Sequence, residues 1–381
     1  MTDPIYLDYN ATTPLDPAVV DAMEPYLRDH SGNPSSDHVY GYRTRAAVDL
    51  AREQLAALLG AVPEEVVFTG GGSEANNLAI KGVAYRLRDR GNHLITTAIE
   101  HPSVTQPLRF LERQGYQVTT LPVDRRGQID PAQVATALTS RTILISIMHA
   151  NNEVGTVQPI RAIVDLAHAR GVLVHVDAAQ SVAKLPVTLG DLGVDLLTVA
   201  GHKFAAPKGI GALIVRRGVQ LEPLIHGAGH EGGRRAGTEN VPSLVGLGAA
   251  AALAARRVPE YQERVRALRD SLERSIVERV PSAILNGHPV ERLPNTLNLS
   301  FPGLNAATLL ANIRDRVACS TGSACHAGQA APSSVLLAMG QNEELAASAL
   351  RLSLGWATTE QEVRTAAAVI ADAVHDLTQR T

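Results

Sequence analysis

Short apolar runs rich in β-branched residues alternate with stretches of helical periodicity through the first two-thirds of the chain. Residues 64–68 read as a strand that leads through a glycine run into a helical pattern over 74–87. Residues 93–97, 117–121 and 142–147 read as further strands. An amphipathic stretch over 160–170 feeds a strand at 172–176, and a last apolar run, Leu196, Leu197 and Val199, stops at a Gly-His-Lys turn. Continuous apolar strands separated by helices predict an α/β fold with a mostly parallel sheet covered on both faces. From about Tyr261 the texture changes. Arginine- and glutamate-rich helical sequence over 264–280 is followed by a strand at 296–301, a loop of glycine and small residues over 320–334, and a terminal helix from about Thr359. At 381 residues the chain exceeds one ordinary hydrophobic core. The pattern predicts a large domain over 16–257 and a smaller α+β domain built from 1–15 and 258–381, which carries a cysteine loop at about 319–334.

Composition narrows the setting. A hydrophobic content of 45% with 19% charged residues is that of a soluble globular protein. A net charge of −3 gives no electrostatic reason for nucleic acid or an anionic membrane as partner. The most membrane-like run, 244–255, is short, rich in alanine and glycine, and closed by Arg256-Arg257, so it reads as a buried helix. Residues 1–6 lack the basic start and apolar core of a signal peptide. Two cysteines, Cys319 and Cys325, cannot form a disulfide framework, and a cytoplasmic, reducing setting is expected.

The chemistry concentrates at two strand ends. The run Val174-His175-Val176 ends on Asp177, and Gly201-His202-Lys203 places a lysine twenty-six residues after that aspartate. Pyridoxal phosphate needs an amine for its aldehyde and a carboxylate to hold its ring nitrogen protonated. The chain has only four lysines (Lys81, Lys184, Lys203, Lys208) against 31 arginines, and Lys203 is the candidate amine. Thr69-Gly70-Gly71-Gly72-Ser73 is a strand, a glycine turn and a helix start, which presents backbone N–H groups to an anion. A plain β–α turn with Ser73 as N-cap is an equal reading of those residues alone. The turn is neither a P-loop nor a full dinucleotide fingerprint, and no metal-ligand set is read.

Nearly the whole chain then falls into a recognisable order. The segments are Tyr6-Leu7-Asp8-Tyr9-Asn10-Ala11-Thr12-Thr13-Pro14, Gly32-Asn33-Pro34-Ser35-Ser36, Ile99-Glu100-His101 and Met148-His149-Ala150-Asn151-Asn152-Glu153. They continue with Asp177-Ala178-Ala179-Gln180, Gly201-His202-Lys203, Arg235-Ala236-Gly237-Thr238, Gly322-Ser323-Ala324-Cys325 and Leu350-Arg351-Leu352-Ser353-Leu354-Gly355. Together they resemble the cysteine desulfurases, the class-V branch of the fold-type I pyridoxal phosphate enzymes, a group that includes the selenocysteine lyases.

The resemblance implies pyridoxal 5′-phosphate as cofactor, with Lys203 as its aldehyde-binding amine, Asp177 on the ring nitrogen and Gln180 on the ring hydroxyl. It implies that Gly72, Ser73 and His202 hold the phosphate, joined in a homodimer by the partner subunit's Thr238. His101 would stack on the ring and shuttle protons. Asn10, Asn152 and Arg351 would bind the substrate, Arg351 through its bidentate fork, with Asn152 also near the cofactor. Cys325 would take sulfur from L-cysteine as a persulfide, leaving L-alanine, for delivery to an iron–sulfur scaffold or a tRNA-thiolation protein. Three departures bear on specificity. Ala200 replaces a serine that bonds the phosphate in many desulfurases, and the selenocysteine lyases tend to be apolar there too. His326-Ala327-Gly328-Gln329 after Cys325 is also more like the lyases, whereas Pro102 after His101 is not. Phe204-Ala205-Ala206-Pro207 replaces the usual aromatic-glycine before proline, and Trp356 stands where arginine is common.

Plainer readings stand beside these roles. His101 before Pro102 is equally a capping histidine, Asp177 a strand-end turn residue, and His175 a satisfied interior histidine. Lys208 reads as a solvent-facing turn residue, and Cys319 as a small hydrophobe at the end of an apolar run. For the whole chain, a selenocysteine lyase, another class-V enzyme such as an aminotransferase, and a non-catalytic scaffold for sulfur-transfer partners are the competing functions.

Overall fold

The computed structural model describes residues 3–321 and 332–379. Its strands are β1 (Ile5–Tyr6), β2 (Val66–Thr69), β3 (His93–Thr97), β4 (Gln117–Leu121), β5 (Thr142–Met148) and β6 (Leu173–Asp177). They continue with β7 (Leu196–Ala200), β8 (Gly211–Val215), β9 (Ile284–Leu285), β10 (Thr296–Ser300), β11 (Val317–Ala318) and β12 (Ala349–Ser353). Seven form one sheet in the order β2-β8-β7-β6-β5-β3-β4. All its neighbours pair in parallel except β8, which is antiparallel to both β2 and β7. Adjacent side chains in a strand point to opposite faces, and here each face has its own apolar layer. Leu94, Leu196 and Leu213 pack on one side, while Ile95, Leu197 and Ile214 pack on the other. Double coverage is why these strands read as unbroken apolar runs.

The sequence-based reading misses β8, a five-residue run enclosed by glycine-containing turns. It also starts the first strand too early, because Pro63–Glu65 forms a 3₁₀ turn ahead of β2. A larger difference lies downstream. The helical stretches read separately at 244–255 and 264–280 are one helix, Val241–Arg279, of 39 residues, about 58 Å long at 1.5 Å per residue. Pro259 lies inside it, and a proline lacking its N–H reads as a helix break. Leu244, Leu247 and Ala251 of this helix pack into the core of the large sheet, and Val265, Leu272 and Ile276 into a second core. That second core includes the inner face of the antiparallel sheet β12-β10-β9.

The N-terminal segment joins the two cores. β1 pairs in parallel with β11, Asp8 bridges to Ser353, and Thr13 N–H donates to the His202 carbonyl at 2.9 Å. Residues 8–13 are therefore held across the carboxyl ends of β6 and β7, where open α/β sheets bind ligands.

Two alanines adopt a left-handed backbone: Ala183 at φ 63° and Ala205 at φ 68°. Such a conformation costs an L-residue roughly 1–2 kcal/mol. Glycine at 205 removes that strain but returns roughly 0.4–1 kcal/mol of chain entropy to the unfolded state. Ala205→Gly is therefore expected to raise unfolding stability by about 0.5–1 kcal/mol, read from the urea midpoint at unchanged slope; a lowered midpoint contradicts this account.

Candidate active site

A cavity of ≈ 710 Å³ opens over the carboxyl ends of β5, β6 and β7. Asn10, Gly72, Ser73, His101, Asn152, Asp177, Gln180, His202, Lys203 and Arg351 all line it. Residues as far apart in sequence as Asn10 and Arg351 thus line one cavity. Thr238 does not line it: it is exposed beside a separate pocket of ≈ 160 Å³ with Arg235 and Glu231. Cys325 lies outside the described residues, although the chain leaves for it from Ser320, whose backbone exchanges hydrogen bonds with that of Arg351 (3.2 and 2.7 Å).

Lys203 follows β7 in a single 3₁₀ turn. Its Nζ donates to the backbone carbonyls of Asn10 (2.7 Å) and Ala11 (2.9 Å). Burial pushes its amine down to about 8, and the charge of Arg351 adds to this against the opposing pull of Asp177 and Asp8. A lysine so placed is a competent nucleophile near neutral pH. Behind it, Ala183 and Ala205 help line a smaller, mainly apolar cavity of ≈ 230 Å³ with Tyr9, Phe204 and Trp356.

Lys184 is a functional candidate that sequence reasoning passed over. It is almost completely buried, and its Nζ donates to Gln180 Oε1 (2.7 Å) and Asn10 Oδ1 (3.1 Å). Burial, then the charges of Lys203 and Arg351, lower its pKa well below that of an ordinary lysine. By occupying Oε1 it fixes the Gln180 amide, whose Nε2 donates to the Asn10 carbonyl at 2.9 Å. Asn10, expected to bind substrate, has its own amide fully engaged. Oδ1 accepts from Lys184 and Asn295, and Nδ2 donates to the Asn152 carbonyl and Thr296 Oγ1. Its geometry is that of a residue positioning others.

Asp177 ends β6, with Oδ1 accepting the Ala179 N–H (3.0 Å) and Oδ2 accepting Asn76 Nδ2 (2.7 Å). Asp177 thus makes the strand-end turn and also lines the cavity. His101 is likewise both: its Nδ1 caps the helix Pro102–Glu112 by accepting the Ser103 N–H, while the ring lines the cavity. Next to it, burial raises the Glu100 carboxyl to about 8, and its Oε1 accepts from Thr97 Oγ1 (2.6 Å) and the Met148 N–H (3.1 Å). This neutral acid ties the ends of β3 and β5 together. His175 is fully buried between Ser146 Oγ (2.8 Å) and Thr198 Oγ1 (3.0 Å), an interior histidine. Burial pushes the Cys319 thiol up to about 12, so it packs as an apolar group.

At the opposite end, the helix Gly72–Arg86 begins two residues before the expected start. Its N-cap is Gly71, not Ser73, and glycine there offers no side chain to the first-turn N–H groups. Those groups and the positive end of the helix dipole suit an anion. His202 stands nearby with Nδ1 3.2 Å from Thr12 Oγ1, and burial with Lys203, Lys208 and Lys184 pushes it down to about 4. Arg351 on β12 pairs with Asp8 (2.8 Å) and donates to the Asn152 carbonyl (3.2 Å). Among the described residues, Arg351 Nε and Asn76 Oδ1 are buried without a hydrogen-bond partner. An amine, a carboxylate, an anion cradle and orphaned polar groups around one cavity fit pyridoxal phosphate and an amino-acid carboxylate.

The sequence profile of the aminotransferase class-V family matches residues 5–365. Similar proteins include a cysteine desulfurase IscS of Dictyoglomus turgidum, 46% identical over 360 residues that cover 94% of this chain and 91% of that protein. The Homo sapiens cysteine desulfurase is 45% identical over 363 residues, covering 94% of this chain and 79% of that protein. A solved structure titled NifS-like protein has a TM-score of 0.91 at 35% identity, covering 99% of this chain and 100% of the other. One titled SspA in complex with cysteine has a TM-score of 0.82 at 40% identity, covering 93% and 99%.

The lowered basicity of Lys203 gives a direct measurement. A lysine of ordinary basicity becomes about tenfold more reactive for each unit between pH 7 and 9, whereas one titrating near 8 gains about fivefold and then only about twofold. Acetylation of the aldehyde-free protein, followed at each lysine by mass spectrometry, is expected to show that flattening at Lys203. A tenfold rise over both steps would show an unperturbed amine.

Proposed function

The chain belongs to the cysteine desulfurases of the class-V aminotransferase family, and on that premise we propose that it removes sulfur from L-cysteine with pyridoxal 5′-phosphate bound in the ≈ 710 Å³ cavity. The observation that carries this reading is the lining of one cavity by the Lys203 amine, the Asp177 carboxylate, the Gly72–Ser73 helix start and the Arg351 guanidinium. The bound cofactor supplies an aldehyde for an amine and a ring that accepts electrons from the substrate's α-carbon. Lys203 would hold the aldehyde, and its amine is the base placed to take a proton. Asp177, held in direction by Asn76 and Ala179, serves the ring nitrogen, and Gln180, held by Lys184, serves the ring hydroxyl. Gly72, Ser73 and His202 take the phosphate.

For the substrate, Arg351 and Asn152 take the carboxylate, with Arg351 Nε free to donate. Asn10 is assigned to holding Lys203, Lys184 and Gln180 in register. Cys325 accepts the sulfur: the substrate C–S bond breaks, an S–S bond forms, and alanine leaves. The enzyme is read as a homodimer in which the partner subunit's Thr238 completes the phosphate site, which agrees with the exposure of Thr238 away from its own cavity. A sulfur-acceptor protein follows from the persulfide. The two domains keep the boundary near 257, inside the long helix. Relatives named as desulfurases at 44–47% identity favour cysteine over a selenocysteine-selective lyase.

The purified protein is expected to be yellow, and borohydride is expected to fix the cofactor to Lys203 alone. Lys203→Ala should lose that covalent adduct and its turnover. Cys325→Ser should lower alanine and sulfide release from L-cysteine by at least about 10²-fold. Colourless protein that takes up no added pyridoxal phosphate overturns the assignment, and full activity in Cys325→Ser overturns the role of that thiol.

A further inference from the structure

The cavity is lined by an unbroken run of hydrogen bonds of which the assignments above use only the link from Asn76 to Asp177. Asn76 Nδ2 donates to Asp177 Oδ2 (2.7 Å) and to Ser103 Oγ (2.8 Å). Ser103 Oγ lies 2.8 Å from His101 Nδ1, and the Ser103 backbone N–H donates to that same nitrogen at 3.1 Å. Direction is forced at every link. A carboxylate oxygen only accepts, so Asn76 must turn Nδ2 towards Asp177. Both Asn76 protons are then engaged, one by Asp177 and one by Ser103. Ser103 Oγ accepts from Asn76, and its own proton is left for His101. With a hydroxyl and a backbone N–H both aimed at Nδ1, that nitrogen has no room for a proton, which must sit on Nε2. The orphaned Asn76 Oδ1 agrees. An amide free to flip would satisfy it, but flipping would set oxygen against the Asp177 carboxylate.

We propose that Asn76 and Ser103 are positioning residues that fix His101 in its Nε2–H form, so that it serves the cavity as a stationary hydrogen-bond donor rather than a carrier of protons. The inference deepens the functional reading above and rests on it for the place of His101 in the reaction. The surroundings act in the same sense. His101 caps the N-terminus of the helix Pro102–Glu112, whose dipole opposes a positive imidazole. Burial lowers its pKa; Asp177 pulls it upward and Lys203 pushes it further down. Protonating Nδ1 would also set its new proton against the Ser103 N–H, which cannot reverse.

Neutron diffraction from deuterium-exchanged crystals of the cofactor-loaded protein tests this directly. Deuterium is expected on His101 Nε2 and absent from Nδ1; the opposite placement overturns the proposal. In solution, the pH dependence of C2-hydrogen exchange at His101, read by mass spectrometry, reports its protonation. Ser103→Ala removes one donor and is expected to shift that equilibrium about three- to tenfold towards the charged form, and Ser103→Thr, which keeps a hydroxyl, to restore it. An unchanged midpoint in Ser103→Ala overturns the assignment, as does an activity limb that tracks His101 protonation. The same tautomer is readable in cofactor-free crystals. A protein that binds no pyridoxal phosphate yet shows Nε2–H loses only the functional reading, and one that binds it but shows Nδ1–H loses only this inference.

Discussion

Three cationic side chains converge on three residues, Asp8, Asn10 and Ala11, of the N-terminal segment. Lys184 donates to the Asn10 side chain, Lys203 to the carbonyls of Asn10 and Ala11, and Arg351 to the carboxylate of Asp8. Within that stretch only Asp8 is a counter-charge; the rest of the positive charge is met by neutral oxygens. Dipoles stabilise an ammonium without cancelling its repulsion of a neighbour, so Arg351 makes both lysines harder to protonate and Lys203 does the same to Lys184. That crowding, on top of burial, is what brings a lysine into a useful range for carbonyl chemistry. It depends on the segment being pinned at both ends, by pairing with β11 and Ser353 on one side and by Thr13 against His202 on the other.

The parts of this design that were legible in the sequence are those governed by local rules. Asp177 ends one apolar strand and Lys203 follows another in a short turn, and the unbroken apolar runs of those strands announce a sheet covered on both faces. The failures have equally physical causes. Pro259 imitates a helix end because a missing N–H is the usual sign of one, but the packing of one continuous face against two cores outweighs a single lost bond. β8 is short and bounded by glycines, so it resembles a turn region.

Lys184, Asn76 and Ser103 were invisible for a different reason. A lone lysine in Val182-Ala183-Lys184-Leu185 carries no spacing signal, because its partners come from residues 10 and 180 only after folding. Asn76 and Ser103 lie on separate helices, and their relation to Asp177 and His101 exists only in three dimensions. Ambiguities at single residues dissolved in the same way. His101 is a helix cap and a cavity residue at once, since one ring has two nitrogens with separate employment. Ser73 proved not to be a cap, because the helix starts one residue before it.

The two left-handed alanines have a consequence beyond backbone strain. Their methyl groups form part of the greasy rear surface behind Lys203, a surface that gives water few partners. A solvent molecule lodged there would hydrate the ammonium and make the amine more basic again. The apolar lining at positions 183 and 205 therefore bears on proton affinity next door. A chain that relaxed this backbone with glycine would gain thermodynamic margin while opening a route for rehydration of its nucleophile.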